Sequence, residues 1–217
     1  METKRVLLIR HGETDWNVSG RWQGTIDIEL NDLGREQALR VARYLRDRRL
    51  GAIFASDLRR AAETAAIIGR EHGLEPVLDP RWRELNLGVF QGLTRDEIIA
   101  RYPREWKDSH NDFMGYRFPN GESRLIMQER SYQALQHALA VNGDGDIVVV
   151  THGGTIRILL RRLVGDEIDK PMVHISNTSI TTLETDDGEH FRLVGVGQVD
   201  HLNADVVHND QGEANAQ

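Results

Sequence analysis

Two short stretches place chemically capable side chains where apolar runs end. "VLLIRHGE", Val6 to Glu13, delivers Arg10 and His11; "IVVVTHGGT", Ile147 to Thr155, delivers His152 followed by two glycines. A neutral imidazole can attack an electrophile or hold a hydrogen bond near neutral pH, and a guanidinium presents a planar fork that matches phosphate or carboxylate oxygens. Paired glycines let a ligand approach the backbone. One histidine at a strand end is usually structural; two in the same context, apolar run and then His-Gly, point to a shared site. A third stretch, "ASDLRRAAETA", offers Ser56 or Asp57 as the cap of a helix with Arg59 and Arg60 in its first turn. Cations there oppose the helix dipole, so a compensating anion is expected. Arg59 reads as a solvated surface residue, and Arg60, rotated away from it, as one that turns into a cleft.

The elements that must position these groups are short β-branched runs alternating with helical patterns. Strand candidates are "RVLLIR", "AIFAS" from Ala52, "IVVVTH" from Ile147, "SITTLET" and "FRLVGVG". Ala38, Val41, Ala42 and Leu45 recur at helical spacing, as do Leu58, Ala61, Ala62 and Ala65, then Ile156, Leu159, Leu160 and Leu163. Such alternation predicts an α/β fold, a three-layer α/β/α sandwich with a mostly parallel sheet. The last two strand candidates, joined by "DDGEH", read as a hairpin and give it one antiparallel edge. In such sheets ligands gather at the carboxyl ends of strands, beside helix N-termini. Thr94 and Glu97 form a capping box that starts a further helix. From Tyr102 to Ser123 no period is evident, and the segment, with Pro103, Gly115, Pro119 and Gly121, reads as a long loop or small lid. Its Trp106, Phe113, Tyr116 and Phe118 form either an aromatic rim or packing onto the body. Residues 1–200 are expected to make one domain, and 201–217 a poorly ordered tail.

Composition narrows the function classes. At 217 residues with no run near the roughly 20 apolar residues of a membrane span, a soluble chain without membrane attachment is expected. No secretory leader is recognised at the start, so a cytoplasmic location is expected. Absence of cysteine removes thiolate nucleophiles, disulfides and cysteine-ligated metals. A formal net charge of -7 argues against general nucleic-acid binding. Arginine greatly outnumbers lysine, which suits a local anion site within an unfavourable overall field, or reflects coding preference alone.

Together "LIRHGET", "SDLRRAAETA", "RELNLGVFQGLT" and "VTHGG" resemble, in order and relative position, the histidine phosphatase superfamily, the branch with cofactor-dependent phosphoglycerate mutases and broad-specificity phosphatases. The likeness covers about three-quarters of the chain. It implies that His11 is a nucleophile forming phosphohistidine, that Arg10 and Arg60 grip the phosphoryl oxygens, and that His152 donates a hydrogen bond to the same group. Glu84 matches the general acid, unless it is only a salt-bridge partner of Arg81 or Arg83. Asn17, Gln23 and Gly153 match substrate-facing positions, although Asn17 and Gln23 could equally form loops. Glu122 could touch the site or help cap the helix beginning near Ser123. No metal and no cofactor is then expected, since protein cations neutralise the charge.

The implied function is a metal-independent phosphomonoester hydrolase acting on a small phosphorylated metabolite, as a monomer or homodimer. Mutase-type phosphoryl transfer is the first alternative. It is disfavoured because Tyr102 to Ser123 is compact and its cations are few: Arg104, Lys107 and Arg117, with His110 a further candidate. A non-catalytic regulator that binds phospho-ligands is the other. A metal hydrolase built on His11 and His152 lacks the His-Glu-x-x-His spacing. Gly-x-Ser-x-Gly and Gly-x-x-x-x-Gly-Lys are both missing.

Overall fold

The computed structural model describes residues 3–141, 144–165 and 174–202. In chain order its elements are β1 (Lys4–Arg10), α1 (Asp15–Val18), α2 (Asp32–Leu45), β2 (Leu50–Ala55), α3 (Arg59–His72), β3 (Val77–Leu78), α4 (Arg95–Arg101), α5 (Pro103–Asn111), α6 (Arg124–Ala140), β4 (Asp146–Thr151), α7 (Gly153–Val164), β5 (Ile180–Thr185) and β6 (Arg192–Gln198). The strands form one six-stranded sheet in the order β3-β2-β4-β1-β5-β6. β3, β2, β4 and β1 run parallel, while β5 pairs antiparallel with both β1 and β6. The expected α/β fold with one antiparallel edge is what the chain adopts.

Both faces of the sheet are covered, because successive side chains of a strand point to opposite sides. Val6 and Leu8 of β1, with Val149 of β4, pack against Ala134, Leu135 and Ala138 of α6 and Ile156, Leu159 and Leu160 of α7. Leu7 and Ile9, with Val148 and Val150, pack instead against Ala38, Val41, Ala42 and Leu45 of α2 and Ala61, Ala65 and Ile68 of α3. β1 is therefore buried on both faces, which is why it reads as a continuous apolar run. A third cluster, with Trp22, Leu85, Leu87, Phe90, Phe118 and Met127, packs the segment 85–118 against Ile158 of α7.

Three expectations need correction. Pro103 starts α5, where a loop was expected: at the first position of a helix a proline gives up no intrahelical hydrogen bond. Only Ser109 of α5 is fully buried, so the helix leaves little apolar period to detect. Neither Ser56 nor Asp57 caps α3: the N-cap is Leu58, with no side-chain cap bond, and Asp57 pairs with Arg83 at 2.5 Å. Finally, His201 and Leu202 belong to the body, since Leu202 is buried and His201 bonds Thr178 Oγ1 at 3.1 Å. The rest of the expected tail, 203–217, lies outside the described residues. The Thr94–Glu97 capping box is present in full, and the aromatics of 102–123 pack onto the body, with Phe118 1 % exposed. Among the described residues no helix is long and apolar enough to cross a membrane.

Candidate active site

The register of the parallel strands builds the site. Arg10 lies opposite Thr151, so the next residue of each strand, His11 and His152, emerges side by side at the carboxyl edge. The His11 amide donates to the Thr151 carbonyl at 2.9 Å, and the two imidazole rings meet edge to face with centroids 5.1 Å apart. One strand further over, the Ser56 amide donates to the Val150 carbonyl, so Ser56 also stands at this edge. Its hydroxyl lies 2.9 Å from His152 Nε2. His152 Nδ1 is buried with no hydrogen-bond partner among the described residues.

His11 Nδ1 lies 2.7 Å from the Gly12 carbonyl oxygen. A carbonyl only accepts, so Nδ1 carries the proton and a neutral ring leaves the lone pair on Nε2. Burial, and then the nearby charges of Arg60 and Arg10, push the His11 pKa well below the usual 6.5. His152 is pushed down likewise, by burial first, then by Arg60 and His11. Both rings are therefore neutral at physiological pH.

The two guanidiniums are anchored on backbone oxygens. Arg10 Nη1 donates to the Ile175 carbonyl at 2.9 Å, and Arg60 donates to the Ile26 and Gly24 carbonyls, each at 2.8 Å. Arg60 is 0 % exposed, turned inward from the first turn of α3, while Arg59 sits at the surface against Asp27 and Glu29. A guanidinium oriented by backbone carbonyls is held in place to meet an anion. Asp27 and Glu29 are the compensating anions of Arg59.

Glu84 reaches this edge from the segment after β3. Its carboxylate accepts the Leu85 amide at 2.8 Å, the Gly154 amide at 2.9 Å and the Thr155 hydroxyl at 3.3 Å. Arg81 pairs with Asp79 and Arg83 with Asp57, so Glu84 is not engaged by either flanking arginine. The second glycine after His152 makes room for Glu84: a Cβ on Gly154 would lie 2.6 Å from Glu84 Oε1. Gly153 lies against the Arg10 side chain. Asn17, in α1, and Gln23, in the loop after it, are both buried. Asn17 completes the capping box of α1 with Thr14, and Gln23 Nε2 donates to Thr14 Oγ1 at 2.8 Å. Gln23 Oε1 has no partner among the described residues.

Apart from Glu122, the supporting groups left no mark in the sequence, and Glu122 serves as neither of the expected parts. Arg130 on α6 donates to the carbonyls of Arg81, Arg83 and Glu84 at 2.9, 2.6 and 2.9 Å, and pairs with Glu122 at 2.6 Å. Glu122 also accepts the Asn86 amide at 2.9 Å. This pair clamps the backbone on both sides of Glu84. Asn177 Nδ2 donates to the His11 carbonyl at 3.0 Å. Ser56 could have been found only by knowing which strand lies next to β4. Among the described residues no group of three or more His, Cys, Asp or Glu side chains is gathered as a metal site requires.

A family model described as the histidine phosphatase superfamily (branch 1) matches residues 6–198. Phosphoglycerate mutase-like protein 4 of Arabidopsis thaliana is 38% identical over 200 residues, covering 91% of this chain and 86% of that protein. Glucosyl-3-phosphoglycerate phosphatase of Mycolicibacterium vanbaalenii is 36% identical over 179 residues, 78% of each chain. Among solved structures, a mycobacterial glucosyl-3-phosphoglycerate phosphatase in complex with VO3 superposes with a TM-score of 0.79 at 34% identity, over 90% of this chain and 100% of that one.

Proposed function

The chain belongs to the histidine phosphatase superfamily, and from that premise we propose that it hydrolyses a small phosphomonoester through a phosphohistidine on His11, without a metal. The observation that carries this reading is the Nδ1 to Gly12 carbonyl bond on a ring kept neutral by burial, which aims an unprotonated Nε2 away from the backbone. The glucosyl-3-phosphoglycerate phosphatase relatives, matched over most of both chains, support a phosphorylated metabolite as substrate.

In the first step His11 Nε2 forms a bond to phosphorus as the bond to the ester oxygen breaks. Arg10 and Arg60 hold the equatorial oxygens, whose charge is greatest in the loose transition state. With the Ser56 hydroxyl donating to His152 Nε2, the neutral ring carries its proton on Nδ1 and offers it to the same oxygens. Glu84 gives its proton to the leaving oxygen, producing the alcohol. In the second step Glu84 takes a proton from water as the water oxygen attacks phosphorus. The P–N bond breaks, and inorganic phosphate leaves His11 neutral again. Gln23 and Asn17 border the phosphoryl group from the segment after β1, and Gly153 does so beside Arg10.

Hydrolysis of p-nitrophenyl phosphate in the presence of a chelator tests the reading. Turnover is expected to persist with chelator, to fall by at least about 10³-fold in His11→Ala, and to leave an acid-labile phosphoryl group on His11 after rapid quench. In Glu84→Gln this ester, whose leaving group needs no proton, should give a burst followed by slow turnover, because only the water step still needs a base. Loss of activity on chelation, or unchanged activity in His11→Ala, would refute the proposal.

A further inference from the structure

Gln37, on the inward face of α2, is a polar side chain only 2 % exposed that the steps above leave without a role. Its Oε1 accepts the Glu13 amide at 2.9 Å. That amide and the Gly12 carbonyl belong to one planar peptide, and the Gly12 carbonyl is the group that meets His11 Nδ1 at 2.7 Å. Gln37 therefore holds the far end of the unit that sets the tautomer of the nucleophile.

The start of α2 is built against this peptide. Asn31, its N-cap, donates its backbone amide to the Glu13 carbonyl and its Nδ2 to Glu13 Oε1, each at 3.0 Å. Gly12 and Gly34 let the two backbones touch: a Cβ on Gly12 would strike the Gly34 carbonyl, and one on Gly34 would lie 2.7 Å from the Glu13 nitrogen. From α3, Thr64 Oγ1 accepts the Gly12 amide at 3.1 Å. The Gly12–Glu13 plane is thus hemmed in by backbone, with His11 bonded to its oxygen and Gln37 to its N–H. An amide that donates a hydrogen bond also strengthens its own carbonyl as an acceptor. Satisfying a buried N–H would need only some acceptor; this N–H shares a peptide with the oxygen that holds the His11 proton.

We propose that Gln37 is a positioning residue for the nucleophile: by accepting the Glu13 amide it fixes and polarises the Gly12–Glu13 peptide, which keeps the proton on His11 Nδ1 and leaves Nε2 free to attack. The attack rests on the phosphatase reading; the tautomer does not, and the two are read separately. In nitrogen-15 correlation spectra of the imidazoles, recorded with both rings neutral, wild-type His11 should carry its proton on Nδ1. Gln37→Met, similar in size but without the amide oxygen, should shift it towards a mixture of the two tautomers. Arg60, Arg10 and His152 also face the His11 ring and are unaltered in this variant. The His152 ring, whose Nε2 partner is Ser56, is the internal reference and should not move. On p-nitrophenyl phosphate, Gln37→Met should lower kcat about tenfold or more with KM changed less than about twofold. Gln37→Glu, which keeps an oxygen at the same reach, should restore part of the loss. Gln37→Leu gives the same test where the methionine variant does not fold. An unchanged His11 tautomer in the folded variant overturns the proposal, as does an equal change in both rings or a wild-type His11 protonated on Nε2. Should the wild-type protein hydrolyse no ester, the phosphatase reading fails by itself, and the ring spectra still decide the role of Gln37.

Discussion

His11 shows how few contacts fix the tautomer and charge of a buried histidine. One carbonyl oxygen fixes the tautomer, while burial and two guanidiniums remove the competing protonated form. The sign of the effect is testable. Because the charged form is disfavoured, the His11 ring should titrate below 6.5 in the folded, ligand-free protein, and the acid limb of kcat/KM should lie below that value too. Since Arg60 is the larger of the two charge contributions, Arg60→Met should raise the His11 titration. An NMR titration of the imidazole in both proteins checks this; a His11 pKa at or above 6.5 in the wild type would contradict it. At His152 the same physics gives a different result, because Ser56 occupies Nε2 and leaves Nδ1 buried with no hydrogen-bond partner among the described residues.

Elements place these residues through register. Pairing Arg10 with Thr151 is enough to bring two histidines 141 positions apart into ring contact. Glu84 is set differently, by a segment without regular structure, and needs a clamp: Arg130 on α6 holds the backbone from Arg81 to Glu84, and Glu122 holds both Arg130 and the Asn86 amide. Arg130→Met should lower kcat roughly 10- to 100-fold through misplacement of Glu84, with a smaller loss on p-nitrophenyl phosphate burst rates, where no proton is needed. Equal losses in burst and steady state would mean that the clamp does not act through Glu84. At the start of α7, Gly154→Ala should improve helix propensity by about 1 kcal/mol yet push Glu84 aside, since the added methyl group would sit 2.6 Å from Oε1. A variant with unchanged kcat would show that the carboxylate does not need this position.

For the whole molecule, burying neutral histidines ties stability to pH. His11, His152 and His201 all have lowered pKa values, His201 at about 4 through burial. Above the ordinary 6.5 both folded and unfolded rings are neutral and stability is at its full value. As pH falls below that, the unfolded chain takes up protons that the folded chain refuses, at up to about 1.4 kcal/mol per pH unit for each ring. Urea midpoints should therefore drop steadily between pH 6.5 and 4. His201→Gln, far from the reacting groups but bonded through Thr178 to the backbone behind His11, should flatten the slope. Parallel pH profiles for the variant and the wild type would refute this.

The sequence by itself determined the strand and helix alternation, the hairpin edge, the α4 capping box and the family, because periodicity, caps and the four motif blocks are local properties of neighbouring residues. It also singled out His11, His152, Arg10, Arg60 and Glu84, which the fold gathers at one sheet edge. Tertiary structure alone decided the remainder. Strand order put Ser56 beside His152, a surface helix hid its period behind Pro103, and the edge strand β3 is two exposed residues long. Arg130 and Arg124 bond backbone carbonyls, and Glu122 a backbone amide, supplied by other segments. Such partners carry no side-chain signature, so their meaning exists only once the chain is folded.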